Sequence, residues 1–175
     1  VHAAGHSFGS VLTCLMLAHH PQTFSRAVLL DPVLFSPAMI GMMALSDLVG
    51  LASRNKLAAG ARNRRHHWPD RRTAHANLHG RGVFRGWRED CFQAYIDHAL
   101  RDVPGGGVEL KCRPTREAEI FASYPRRLWP SLARIRQPVL ALRGRSTFAF
   151  AARSITRWAA TQPNVTCEEM PGGHC

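Results

Sequence analysis

A chain of 175 residues with 45% hydrophobic and 20% charged side chains has the composition of one globular domain able to bury a core, which excludes disorder and collagen-like architecture. No apolar run reaches the roughly 18 residues that a membrane span needs, because the greasiest stretch, residues 33–51, is broken by Pro37 and Asp47. The 23 basic and 12 acidic residues give a net charge of +11, enough to attract nucleic acid, anionic lipid or acidic substrates. Only Lys56 and Lys111 are lysines, which leaves 21 arginines, an imbalance that coding bias explains without any partner. Five cysteines, odd in number and without a CxxC spacing, point to neither a disulfide framework nor a zinc site and place the protein in the reducing cytoplasm. The chain opens on Val1 without a basic, apolar, small-residue run of the kind that marks a secretory signal, and is expected to be a truncated piece.

Small and apolar residues 1–4 run into Gly5, and residues 11–18 form a helix-compatible apolar stretch stopped by Pro21, which reads as strand, tight turn and helix. Residues 26–30 (RAVLL) are continuously apolar after Arg26 and end at Asp31-Pro32, the pattern of a strand buried on both faces of a parallel sheet. The pattern returns at residues 138–142 (PVLAL), followed by a helix over 151–160 and a last strand over 165–170. Strands alternating with helices predict right-handed βαβ units in a parallel sheet.

Between these halves, residues 36–130 show no evident strand. They hold an apolar segment (37–51), an Arg/His-rich stretch (61–81), and a helical pattern over 87–100 in which Phe92, Tyr95, Ile96 and Ala99 share one face. A turn at 104–107 precedes a short helix over 114–124 with Ile120 and Phe121 inward.

Gly5-His6-Ser7-Phe8-Gly9 is a GxSxG sequence between a strand-like and a helix-like run. In that context the glycines relieve a turn too sharp for side chains, Ser7 is lifted to the carboxyl end of the sheet, and the Phe8 backbone N–H is placed to donate to an oxyanion. A serine hydroxyl needs a base. His174 fits, following the last strand and a Pro171-Gly172-Gly173 turn that swings an imidazole back over the sheet edge.

These segments resemble the carboxyl-terminal part of an α/β-hydrolase fold enzyme with an inserted cap. GHSFG resembles the nucleophile elbow of that family and PGGHC its histidine loop, while VLLDPV and PVLALRG resemble the strands between which the cap is inserted. The resemblance implies an α/β fold with a partial parallel sheet, residues 1–35 and 131–175 forming the core and 36–130 a helical lid. It implies a serine hydrolase that cleaves a carboxylic ester or similar acyl bond of a small molecule through an acyl-enzyme, with no cofactor, metal, nucleic acid or membrane. Ser7 is then the nucleophile, His174 the general base, and Phe8 one of two oxyanion donors.

The third triad member departs from the usual pattern. The family's carboxylate commonly follows the strand resembling PVLALRG, yet residues 143–154 contain no acid. A minority of members carry it after the preceding strand, which corresponds to Asp31; the competing reading is a turn residue before Pro32. Glu168 and Glu169 lie within the last strand and fit less well. The family's sheet begins several strands before the nucleophile, and the second oxyanion donor comes from a loop among them, so the chain alone is expected to be a poorly folded, nearly inactive fragment.

Two other patterns compete. His75 and His79, four apart, with His66 and His67 nearby, have metal-ligand spacing, but no carboxylate or cysteine at suitable spacing completes the set, and no metal is expected. Residues 62–72 (RNRRHHWPDRR) offer arginines for phosphates and Trp68 for base stacking. A nucleic-acid-binding module is therefore the alternative function, with an inactive hydrolase-like protein as another.

Overall fold

The computed structural model describes residues 1–49 and 55–175, and the chain forms two compact units, one of Val1–Val49 with Pro125–His174 and one within Gly50–Tyr124. These limits differ from the 35/36 and 130/131 boundaries expected for an insert.

The first unit is built on a four-stranded, fully parallel sheet of β1 (His2–His6), β2 (Arg26–Leu30), β6 (Val139–Gly144) and β7 (Val165–Met170), in the order β1-β2-β6-β7. Register is continuous, with Ala27 opposite Val139, Leu29 opposite Ala141, and Val139 opposite Val165. Since each strand lies on the same side of its predecessor, right-handed crossovers put the helices that follow β1 and β6 on one face. α1 (Phe8–His19) packs on β1 and β2, α8 (Ala149–Thr161) on β6 and β7, and α7 (Leu128–Leu132) on α1. The alternation of β2 follows from this arrangement: Ala27 and Leu29 are buried beneath the helices, whereas Val28 and Leu30 on the other face are 36% and 42% exposed. The expected strand buried on both faces is thus covered on one.

The interior of this unit is filled by Val11, Cys14 and Leu17 of α1, Leu128 and Leu132 of α7, Ile155 and Trp158 of α8, and Ile135. Burial pushes the Cys14 thiol up to about 12, so it stays protonated at neutral pH and behaves as a small hydrophobe. The apolar segment at 37–51 becomes α2 (Pro37–Leu48), started by proline in its first turn and capped by the Ser36 hydroxyl, which accepts the Met39 N–H at 3.2 Å. Its last two residues lie outside the described ones.

The second unit is not purely helical. It contains α3 (Lys56–Arg62), β3 (His67–Trp68), α4 (Arg71–Leu78), α5 (Glu89–Ala99), β4 (Leu100–Asp102), β5 (Val108–Leu110) and α6 (Pro114–Ala122). The strands form a small antiparallel sheet in the order β3-β5-β4. This corrects the strand-free helical insert expected from sequence: runs of two and three residues are too short for an alternating pattern to register. Phe92, Tyr95 and Ile96 do share the inward face of α5, clustered with Trp68, Phe84 and Leu110. In α6 the buried residues are Pro114 and Ala118; of the two residues expected inward, Ile120 is half-buried and Phe121 is 46% exposed. Ala118 instead meets Ala58 and Ala61 of α3, small residues that let the two helices approach closely.

Candidate active site

Ser7 occupies the one-residue junction between β1 and α1 with φ 55° and ψ −121°, a strained conformation for a residue bearing a Cβ. The surrounding bonds hold it there. The Ser7 N–H donates to Leu30 O at 2.9 Å, carrying the β1–β2 ladder one residue past the strand, and Ser10 N–H donates back to Ser7 O at 3.2 Å. The fully buried Ser10 hydroxyl donates to Gly5 O at 2.6 Å, with Leu30 O at 3.2 Å, so it ties the first turn of α1 to the ends of both strands. A Cβ at Gly5 would lie 2.7 Å from the Gly9 carbonyl and the Ser10 nitrogen. Gly9 differs: a Cβ there meets no described atom within 4 Å, so only the first glycine of the motif is required by close approach.

Asp31 sits one residue beyond β2 with φ 46°, a left-handed conformation that aspartate tolerates better than most residues, adopted although the following proline favours an extended backbone. Its N–H donates to Leu142 O at 2.7 Å. Its carboxylate collects three donors: the Gly144 N–H on Oδ1 at 3.1 Å, and the Thr147 hydroxyl and His174 Nδ1–H on Oδ2. The side chain is only 6% exposed, and a buried carboxylate so thoroughly bonded is held in one orientation.

His174 completes the set. Its Nε2 accepts the Ser7 Oγ–H at 2.8 Å while Nδ1 faces Asp31. The loop carrying it is anchored at several points. Arg145 N–H donates to Met170 O and Ser146 N–H to Gly172 O, both at 2.9 Å. His6 Nε2–H donates to the backbone oxygen of His174 at 2.7 Å. Gly144 is needed for this docking, since a Cβ there would stand 2.5 Å from Gly173 O. Phe148 lies against the imidazole with ring centroids 4.9 Å apart.

The three sequence-derived candidates Ser7, Asp31 and His174 therefore converge, although 143 residues separate the last two. The Phe8 N–H is the first helical amide of α1 and so has no intrahelical carbonyl to serve. The glutamates ranked below Asp31 lie elsewhere: Glu169 pairs with Arg143 at 2.8 Å and Arg145 at 3.0 Å, and Glu168 is exposed. Sequence reasoning missed Thr147, Gly144, Ser10 and His6. Thr147 had a detectable signal, being a hydroxyl in the segment after β6 where an acid was sought and not found.

The competing patterns resolve differently. His75 and His79 stack at 5.4 Å and direct their Nε2 atoms to the two oxygens of Glu89, at 2.9 and 3.0 Å. Glu89, the first residue of α5, thus joins the two rings by hydrogen bonds, and the bond from His75 holds its pKa below the usual range. Trp68 is completely buried and donates Nε1–H to Asn77 at 3.2 Å, which removes it as a stacking platform for bases. Arg64 is bound by both oxygens of Glu117 and Arg71 by Asp102, so those charges are already neutralised. Among the described residues no helix is long and apolar enough to cross a membrane.

Comparison with known proteins identifies the fold. The chain is similar to the E-2-(acetamidomethylene)succinate hydrolase structure, with a TM-score of 0.69 and 21% identity over 99% of this chain and 59% of that one. It is similar to the thioesterase domain from the curacin biosynthetic pathway (0.61, 19% identity, 98% and 58%) and to the peroxisomal alpha-beta-hydrolase Lpx1 from Saccharomyces cerevisiae (0.67, 15% identity, 99% and 47%). At such identities the likeness is one of fold, and the chain spans less than two thirds of each. No curated protein sequence matches significantly. The family model described as alpha/beta hydrolase fold matches residues 1–175: the chain belongs to the α/β-hydrolase fold family.

Proposed function

We propose that the protein is a serine hydrolase that cleaves a carboxylic ester or similar acyl bond of a small molecule through a covalent acyl-enzyme. The observation that carries this reading is the unbroken relay from Ser7 Oγ through His174 to Asp31. A serine hydroxyl is a weak nucleophile until a positioned base removes its proton. Here His174 Nε2 takes that proton as Ser7 Oγ bonds to the substrate carbonyl carbon. Asp31 fixes the tautomer that leaves Nε2 free to accept, and it stabilises the imidazolium that results. The carbonyl oxygen, now negative, receives the Phe8 N–H at the start of α1, where the helix dipole adds to the hydrogen bond. Collapse of this intermediate expels the leaving group, which takes the proton from His174. Water, deprotonated by the same imidazole, then releases the acid and restores Ser7. The insert between β2 and β6, residues 36–130, would serve as the cap of this enzyme.

A fluorophosphonate probe tests the reading, because its phosphorus is attacked only by an activated serine. Mass spectrometry is expected to find the adduct on Ser7, and the Ser7→Ala protein is expected to remain unlabelled. A folded protein that leaves Ser7 unmodified would remove the nucleophile from this role.

A further inference from the structure

The first unit holds a cavity of about 260 Å³, lined by Ser36 and Met39 at the start of α2, Trp129 of α7, and Phe150, Arg153 and Arg157 of α8. Two aromatic rings, Phe150 and Phe148, lie in sequence between it and the His174 imidazole. Phe148 touches the His174 imidazole at 4.9 Å, Phe148 stacks on Phe150 at 5.7 Å, and Phe150, in the cavity wall, stacks on Phe35 at 5.7 Å. The cavity thus lies two rings from the catalytic base. Its volume falls just below the roughly 300 Å³ at which drug-sized pockets begin, so it suits a short group.

Its lining is positive. Arg153 and Arg157 are one helical turn apart and line the same cavity, an arrangement in which like charges repel. No lining residue is acidic, and among the described residues neither arginine forms an ion pair. Arg126 pairs with Asp47, and Arg143 and Arg145 with Glu169, whereas Arg26, Arg127, Arg134 and Arg136 of the same unit, like Arg153 and Arg157, form no ion pair among the described residues; what sets Arg153 and Arg157 apart is that both line one cavity. The Arg157 guanidinium lies over the Trp129 ring at 4.9 Å, which orients its plane and leaves its N–H edge available to a planar anion.

We infer that this cavity holds a carboxylate on the substrate, and that the protein acts on short acyl compounds bearing a second, free carboxyl group. This rests on the proposed role of Ser7. The apolar walls of Met39, Trp129 and Phe150 accommodate the intervening methylenes, and the arginines form charge-assisted hydrogen bonds to the carboxylate.

The test compares p-nitrophenyl hemiglutarate with p-nitrophenyl valerate, which have similar chains with and without the charge. In the Arg153→Gln/Arg157→Gln protein the ratio of kcat/KM for the two esters is expected to fall about 10- to 100-fold in favour of the neutral one. An unchanged ratio, whether or not both rates drop, overturns the inference. A second readout does not depend on turnover. Glutarate binding followed by calorimetry is expected in the wild type and lost in the double variant, and dimethyl glutarate is expected to bind neither. Equal glutarate affinity in both proteins, or none in the wild type, also overturns it. If fluorophosphonate leaves Ser7 unlabelled while glutarate binding depends on the arginines, the assignment of Ser7 fails and the anion site stands.

Discussion

Asp31→Asn is expected to lower kcat about 10,000-fold while leaving the fold intact, the effect usual for neutralising the orienting acid of such a triad. Three donors converge on this carboxylate, the Gly144 N–H on one oxygen and the Thr147 hydroxyl with His174 Nδ1 on the other. Asparagine has a single acceptor oxygen. With that oxygen kept under the fixed Gly144 amide, the new NH2 group faces Thr147 and His174. The threonine hydroxyl can rotate to accept, but the imidazole can accept only by moving its proton from Nδ1 to Nε2. Nε2 then donates toward Ser7 and can no longer take its proton. The loss should therefore appear in kcat, with proton-coupled nitrogen NMR showing His174 in the wrong tautomer. A fall of less than tenfold would mean that Asp31 is only a turn residue before Pro32.

Gly5→Ala is expected to destabilise the protein by about 3 kcal/mol, near the upper end of the usual cost of overpacking. The new methyl carbon would meet the Gly9 carbonyl and Ser10 nitrogen at 2.7 Å. All of these are backbone atoms that no rotamer change can move aside. Relief requires α1 to back away from β1, which would also break the 2.6 Å bond from Ser10 to Gly5. For a chain of this size the melting temperature should fall by about 6 to 12 °C. Gly9→Ala provides the internal control, because its methyl would enter open space inside a helix that favours alanine over glycine. Similar melting temperatures for the two variants would contradict the steric account.

The difference between these glycines shows where sequence reading works and where it stops. The GxSxG motif located the turn and its serine, since the strand before it and the helix after it leave periodicities of their own. It treated both glycines alike because contact distances are not written in a pattern. His174 was legible from chain order and from the Pro171-Gly172-Gly173 turn beside it, whereas Asp31 came from the family resemblance and chain order, with Pro32 favouring the competing turn reading. Thr147 was not, because a threonine after a strand is unremarkable until the carboxylate it bonds is known. The β3-β5-β4 sheet was missed for lack of length. Glu89 was missed because the His75 and His79 it joins lie 14 and 10 residues away, across a turn and a helix boundary. Contacts between distant residues have no local signature unless a motif announces them.

The hydroxyl of Thr147, bonded to the same carboxylate oxygen as His174, stands where a second strand end could present a negative charge to the same imidazole. The imidazole responds to where that charge lies, whichever strand supplies it. Relocating the acid by combining Thr147→Asp with Asp31→Asn should restore about 10- to 100-fold of the activity that Asp31→Asn alone removes, a coupling expected of neighbours that share one bond. Turnover no higher than that of the single variant would tie the charge to β2. Restored turnover would mean that the relay has two interchangeable attachment points on the scaffold, open to exchange through a state that carries both.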